Sequence, residues 1–385
     1  VRTKLGSLAE PGGIQTGPFG SQLHAHEYSE TGVPVVMPQD LGENVISTES
    51  VARVPEEIAD RLDRHRLRTG DIVYSRRGDI TKRAWVLPSQ VGWLCGTGCL
   101  RVRLNPALAD SRFVSYALGL PETRTWLTNH AVGATMPNLN TSILSEVPVD
   151  VPDLATQTAI ADVLGALDDK IAANDREIRL LDELTHALTL AALVRGQRQF
   201  ALKDFAELTM GSSPTGETLS EDASGVAFHQ GVRDFGVRQP TDRIFTSAPV
   251  RMARAGDVLI SVRAPVGRLN RAAADLCIGR GLAAARTRHC SGATLYNLLR
   301  AAPDLWEAHG SDGTVFASIS RPQLENLPIG VPDELDQLDV RLTVLEGRVD
   351  QLAAESSRLA ATRDVLLPEL MSGRLTIRTL EDSVR

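Results

Sequence analysis

Apolar residues recur in alternating steps of four and three through two long segments. In 153–195 the series runs Ile160, Leu164, Leu167, Ile171, Ile178, Leu181 and Leu188, with Asn174 and Thr185 at the remaining positions. In 333–372 it runs Leu338, Leu342, Leu345, Val349, Leu352, Leu359 and Leu366, interrupted by Ser356 and Arg363. This spacing predicts two helices, each with the a/d seam of a coiled coil. A helix of about 38 residues is about 57 Å long. Neither seam has a partner in the chain except the other, so the two are expected to pair. The polar interruptions are the kind that fix register at some cost in stability. Gly196 and Gly373 follow the two segments as stop signals.

The rest of the chain is patterned differently. Short β-like runs at 32–38, 71–75 and 100–104 are punctuated by Gly and Pro, and 111–131 reads as helix bent or broken at Pro121. The same order returns with strands at 225–231, 257–262 and 282–288 and a helix at about 293–308. The predicted fold class is α+β: two similar mixed α/β domains joined by two long helices that form a coiled coil. The expected boundaries are 1–152 for the first domain, 153–196 for the first helix, 197–332 for the second domain, 333–374 for the second helix and 375–385 for a tail.

The two halves are copies. Gly70-Asp71-Ile72-Val73-Tyr74-Ser75 answers to Gly256-Asp257-Val258-Leu259-Ile260-Ser261, and Pro148, Pro152 and Gln157 answer to Pro328, Pro332 and Gln337. Solenoid repeats are shorter than this. Tandem copies of a domain commonly pack about a pseudo-two-fold axis, as two-fold dimers do. The expectation is a protein with two similar heads.

Composition narrows the class. Apolar content of 42% and charged content of 23% are those of a globular protein. No apolar run reaches membrane-spanning length, which predicts a cytoplasmic chain. The net charge of −7 is unevenly spread: −1 in 1–152, −3 in 153–199, +1 in 200–332 and −4 in 333–385. The acidity lies mostly on the helices, leaving near-neutral heads that can carry a basic face. Arg far outnumbers Lys, which a GC-rich genome explains as readily as any function.

The search for catalytic chemistry is negative. Residues 279–284 fit G-x-G-x-x-A but open no βαβ unit. No G-K-[ST] phosphate loop and no Asn-Pro-Pro-aromatic tetrad occurs. Cys95 and Cys99 have a possible ligand spacing and Cys277 sits in the matching place in the second copy, but no second ligand pair accompanies them, so they read as structural thiols. His24, His26, Glu27 and the pair His289-Cys290 form no metal motif. What remains is three polar loops in each head: 15–23, 75–84 and 133–142 in the first, and 209–219, 261–272 and 313–322 in the second. They supply the Arg, Gln, Asn, Ser and Thr donors used on phosphates and base edges.

The whole chain resembles the DNA-specificity subunits of type I restriction–modification systems. The resemblance is carried by 13–23, 70–78, 151–171, 231–240, 256–267 and 277–286. It implies two target-recognition domains, each reading half of a split, asymmetric DNA site, with the helices as an antiparallel spacer. It implies no catalysis and no cofactor in this chain. The implied partners are double-stranded DNA, two methyltransferase subunits that use S-adenosylmethionine, and restriction (translocase/nuclease) subunits that use ATP and Mg; no membrane is involved. The second helix departs from the pattern, lacking the Ile160-Ala161-Asp162 start of the first. Two heads docked on one face of B-DNA should contact half-sites about 10 bp apart. Candidate DNA contacts are Ser21, Gln22, Arg76, Arg77, Lys82, Arg83, Asn138 and Asn140 in the first head, and Ser212, Arg233, Arg263, Arg268, Asn270, Arg280 and Ser318 in the second. A two-headed reader serving a non-classical restriction or phage-defence methylation system is the alternative, and a scaffold that binds only proteins is a third reading.

Overall fold

The computed structural model describes residues 1–48, 51–133, 137–306 and 318–377. It divides into two units, Val1–Asp169 with Leu359–Arg385, and Lys170–Arg358. The division falls within both long helices, Leu154–Arg195 and Leu335–Met371.

In the first unit a five-stranded sheet runs in the order Ala9–Thr16, Cys99–Leu104, Ile72–Ser75, Arg83–Trp85, Glu43–Asn44. A three-stranded sheet places Val33–Val36 between Ala52–Val54 and Leu94–Cys95. Arg2–Lys4 pairs antiparallel with Pro148–Asp150, so the head closes where it began. The predicted helix at 111–131 is two helices, Ser111–Ala117 and Pro121–His130. Pro121 opens the second because its missing N–H is an orphan in a first turn anyway.

The second unit repeats this plan. Ala206–Met210, Leu282–Thr287, Val258–Ser261 and Leu269–Arg271 form one sheet in that order. Gln197–Ala201 pairs with Pro328–Pro332 and closes the head. The helix expected over 293–308 is Gly292–Arg300 and stops short of Pro303; residues 307 and 308 lie outside the described residues.

The duplication extends to individual contacts. Gly70 and Gly256 sit at φ +83° and +85°, where a β-carbon is strained. Each turn is tied by the buried acid that follows: Asp71 accepts from the Arg68 amide and Asp257 from the Arg254 amide, both at 2.8 Å. Each acid then takes a bidentate guanidinium from the neighbouring strand, Arg103 on Asp71 and Arg286 on Asp257. These bonds explain why Gly-Asp recurs in the sequence at the start of each central strand.

Within each unit the long helices run antiparallel. In the second, Glu177 pairs with Arg348 and Arg195 with Glu334; in the first, Arg363 pairs with Asp168. The expected seam is real but short. Ile178, Val349 and Leu352 form its buried centre, flanked by Leu181. Leu167, Ile171, Leu345 and Leu359 stay half-exposed. Ile160 and Leu164 belong to the core of the first head, where Leu366 and Leu370 join them. Leu338 and Leu342 belong to the core of the second. Seam spacing thus serves helix pairing in the middle and head anchoring at the ends. The expected tail contributes too, since Leu375 and Ile377 pack against the first core. Asn174, buried in the seam, donates to Glu355 at 2.9 Å and Ser356 at 3.2 Å, a contact that only one register provides.

Leu342 is fully buried, so Leu342→Ala should cost about 2–5 kcal/mol. Hydrogen exchange should show lost protection in strands 258–261 and 282–287 as well as in the helix. Loss confined to the helix would contradict a shared core.

Candidate nucleic-acid interface

In the first head three loops converge at one end of the five-stranded sheet. Arg76 accepts a bond at its carbonyl from the Leu139 amide at 2.9 Å and gives its own amide to Gly98 at 2.8 Å. Its guanidinium lies 5.6 Å from the Phe19 ring centroid and donates to Asn138 Oδ1 at 3.2 Å. Thr97 holds the Pro18 carbonyl at 3.1 Å. Loops 15–23 and 75–84 and the strand-like Asn138 are therefore one surface, on which Ser21, Arg77 and Lys82 are exposed and Gln22 is half-exposed. Phe19 is exposed beside them, an apolar plate among cations. Residues 134–136 of the third loop lie outside the described residues.

The second head assembles the corresponding surface. Arg263 forms a backbone bridge with Ser318, as Arg77 does with Asn138. Gly211 gives its amide to Leu282 as Gly17 does to Cys99. A β-carbon on Gly17 or Gly211 would lie about 2 Å from the carbonyl oxygen of Gly96 or Gly279, so both loop pairs need glycine for contact. Ser213 Oγ donates to Gln230 Oε1 at 2.9 Å and accepts the Arg280 amide at 3.4 Å. Arg233, Arg263, Arg268, Arg280 and Ser318 are exposed and Ser212 is half-exposed. Residues 313–317 of the third loop lie outside the described residues.

Three candidates serve the scaffold instead. Arg83 is 2% exposed, donating to the Ser115 carbonyl at 2.6 Å and to Glu43 at 3.0 Å; strand alternation turns it inward while Lys82 points out. Asn270 is 1% exposed and holds the Gly236 carbonyl at 2.9 Å. Asn140 caps helix Thr141–Ser145 through the Ile143 amide at 2.8 Å. Cys277 also needs correction, since it matches Leu94 in register rather than Cys95. Burial pushes the Cys95 thiol up to about 12 and Cys99 well above its ordinary value, so both are inert thiols at neutral pH. Among the described residues no group of three or more His, Cys, Asp or Glu could hold a metal ion. No helix there is long and apolar enough to cross a membrane.

Sequence reasoning missed Arg61, Arg64 and His24, which with Ser21 and Gln22 line a cleft of about 490 Å³. Arg61 donates to the Gln22 carbonyl at 3.0 Å and Arg64 to the Gln22 side chain at 3.4 Å. They lie some forty residues away in sequence, so only the fold brings them there. Ser213, inside the 209–219 loop, was not singled out, and its partner Gln230 comes from 17 residues away. Arg64 is steadied by His65, whose Nε2 accepts from the Arg64 Nε at 3.0 Å. Burial, then the positive charges of Arg64 and Arg101, push the His65 pKa down to about 4.

Each surface so far is a set of polar loops at a sheet end. The chain is similar to known proteins that carry a DNA specificity domain. Residues 20–183 match the type I restriction modification DNA specificity domain. It is 24% identical over 379 residues to the protein assigned as the type I restriction enzyme MjaX specificity subunit of Methanocaldococcus jannaschii, covering 90% of this chain and 88% of that one. Its fold is that of the type I restriction–modification S subunit from M. genitalium, with a TM-score of 0.67 at 17% identity over 96% of this chain and 95% of that one.

One further surface lies on the first long helix, in the second unit. Leu180, Leu184, Ala187, Ala191 and Val194 are all exposed and recur in steps of four and three. They lie about 110° around the helix from the seam, on the flank away from Asp182, Leu188 and Ala192 that face the head. Val340 and Val344 of the second helix are exposed as well.

His65 gives a pH test. Its unfolded pKa is about 6.5 and its folded value about 4, so the unfolded chain takes up the proton first as pH falls. The contribution of neutral His65 is fully present above pH 6.5 and is lost as pH drops towards 4. The stability difference between wild type and His65→Gln, read from urea titrations, should change by up to about 3 kcal/mol across that window. A constant difference would contradict a buried neutral imidazole.

Proposed function

We propose that the chain reads a split, asymmetric DNA site, one half per head, without doing chemistry itself. The similarity of residues 20–183 to the type I restriction modification DNA specificity domain carries this reading, and two matched loop surfaces with different exposed side chains support it. Ser21, Gln22, Arg76, Arg77, Lys82 and Asn138, with Arg61 and Arg64, face the first half-site. Ser212, Arg233, Arg263, Arg268, Arg280 and Ser318, with Ser213 and Gln230, face the second. Arginines in these loops suit guanine edges and phosphates, and the amide and hydroxyl groups suit other base edges. The long helices set the spacer between half-sites.

Methylation and cleavage belong to partners. Two methyltransferase subunits supply S-adenosylmethionine and the adenine-modifying site. Restriction subunits supply ATP- and Mg-dependent translocation and cleavage. The exposed Leu180–Val194 stripe is the surface we assign to methyltransferase docking, because heptad-spaced apolar residues on a free helix flank invite another helix. The complex works on DNA in the cytoplasm.

Two outcomes follow. Arg263→Ala should cost about 1–3 kcal/mol of discrimination at one base pair of one half-site and leave the other half untouched. Competition binding of the assembled complex to single-base variants of the site checks this; unchanged preference at every position removes Arg263 from the contact set. Leu184→Asp should leave the chain folded by circular dichroism but abolish co-purification with the methyltransferase subunit. Undiminished co-purification would place docking elsewhere.

A further inference from the structure

The second head is joined to the long helices by a buried, charge-balanced network that the functional reading does not use. Glu346, on the second long helix, is fully buried. It accepts from Arg238 Nε at 2.9 Å, Asn297 Nδ2 at 2.9 Å and Arg271 Nη2 at 3.2 Å. Arg271 also donates to Asp350, one turn further along that helix, at 2.8 Å. Asp182, on the first long helix, takes Arg238 and the fork of Arg300. Tyr296 lies under both central cations, its ring centroid 5.1 Å from Arg238 and 6.0 Å from Arg271. Three guanidinium groups thus meet three carboxylates, drawn from both helices and from three segments of the head.

Arg238 ends a strap that begins at the DNA-facing surface. Gln230 bonds Ser213 there, and Arg233 is exposed a few residues on. The strap is stapled along its length. Asp234 takes Arg243 at 2.7 Å, the Arg238 carbonyl accepts the Arg271 amide at 2.7 Å, and Asn270 holds Gly236. In the first unit the corresponding strap ends at Asn44, which accepts from the Ser115 hydroxyl and reaches no helix carboxylate. The first head bonds the first long helix at a more exposed place, Arg112 reaching Asp169 and the Gly165 carbonyl and Tyr116 reaching Asp168, and Leu366, Leu367, Leu370, Met371, Leu375 and Ile377 lie in or against its core.

Buried ion pairs are poor sources of net stability, because desolvation opposes the attraction. Their geometry is directional, however, whereas apolar contact tolerates sliding. We propose that Glu346, through Arg238 and Arg271, is a positioning residue that fixes the orientation of the second recognition head, and with it the Gln230–Arg233 strap, on the long helices. Arg271, Arg300, Asp182 and Asp350 complete the lock. The inference rests on the two-headed reading above.

The test uses the complete complex with methyltransferase subunits and duplexes carrying the wild-type site, each single-base variant of it, and spacers one base pair longer or shorter. Glu346→Gln keeps the shape and removes the charge. Relative methylation of the altered-spacer duplexes should rise about tenfold over wild type, the ratio that ~1.4 kcal/mol of discrimination sets. Preference within the second half-site should relax while the first is unchanged. A uniform fall on all duplexes, or no change in any ratio, would overturn the proposal by showing a merely structural network. If Glu346→Gln fails to fold, Asp350→Asn and Arg300→Gln at the network's rim are measured on the same duplexes, and the same ratios decide between the two outcomes. A wild-type complex that methylates no split site would instead sink the two-headed reading, independently of Glu346.

Discussion

The structure depends on apolar cores that the long helices share with the heads. Ile160, Leu164 and Leu370 are buried with Phe113, Leu127 and Leu144 in the first unit. Leu338, Leu342 and Ala192 are buried with Leu295, Leu299 and Ile260 in the second. Within the second unit the apolar residues that the helices bury against each other are Ile178, Val349 and Leu352, beside the polar Asn174. A helix pair alone would be a marginal object at that seam; each end is instead completed by a domain. The consequence for the proposed function is that each loop surface is carried on the same core as the long helices of its unit.

Duplication explains what the heads share and what they do not. The elements that build the frame recur at equivalent places: the Asp71–Arg103 and Asp257–Arg286 pairs, Gly17 against Gly96 and Gly211 against Gly279, and the bridges of Arg77 to Asn138 and Arg263 to Ser318. The exposed side chains on that frame differ elsewhere: Phe19 and Lys82 on one, Arg233, Arg268 and Arg280 on the other. A copied frame with diverged loops suits a protein that must dock twice in the same way while reading two different sequences.

Much of this was legible in the sequence because periodicity and repeat are local. The helices, their ends at Gly196 and Gly373, the central strands and the paired loops follow from spacing and composition. The anchoring role of Ile160 and Leu342 was not, since a heptad position looks alike whether it faces a helix or a sheet. Arg83 and Asn270 were misread because a polar residue after a strand reads as surface until its register is known; alternation puts Arg83 inside. Arg61, Arg64 and the Glu346 network were invisible, being assembled from segments tens to more than a hundred residues apart.

The most direct test is to express the chain with its neighbouring methyltransferase in a methylation-free host and sequence the genomic DNA for N6-methyladenine. The account predicts a single split motif with two different halves, absent when this chain is omitted. A stable complex that leaves no new methylation, or a motif that is continuous or symmetric, would contradict it.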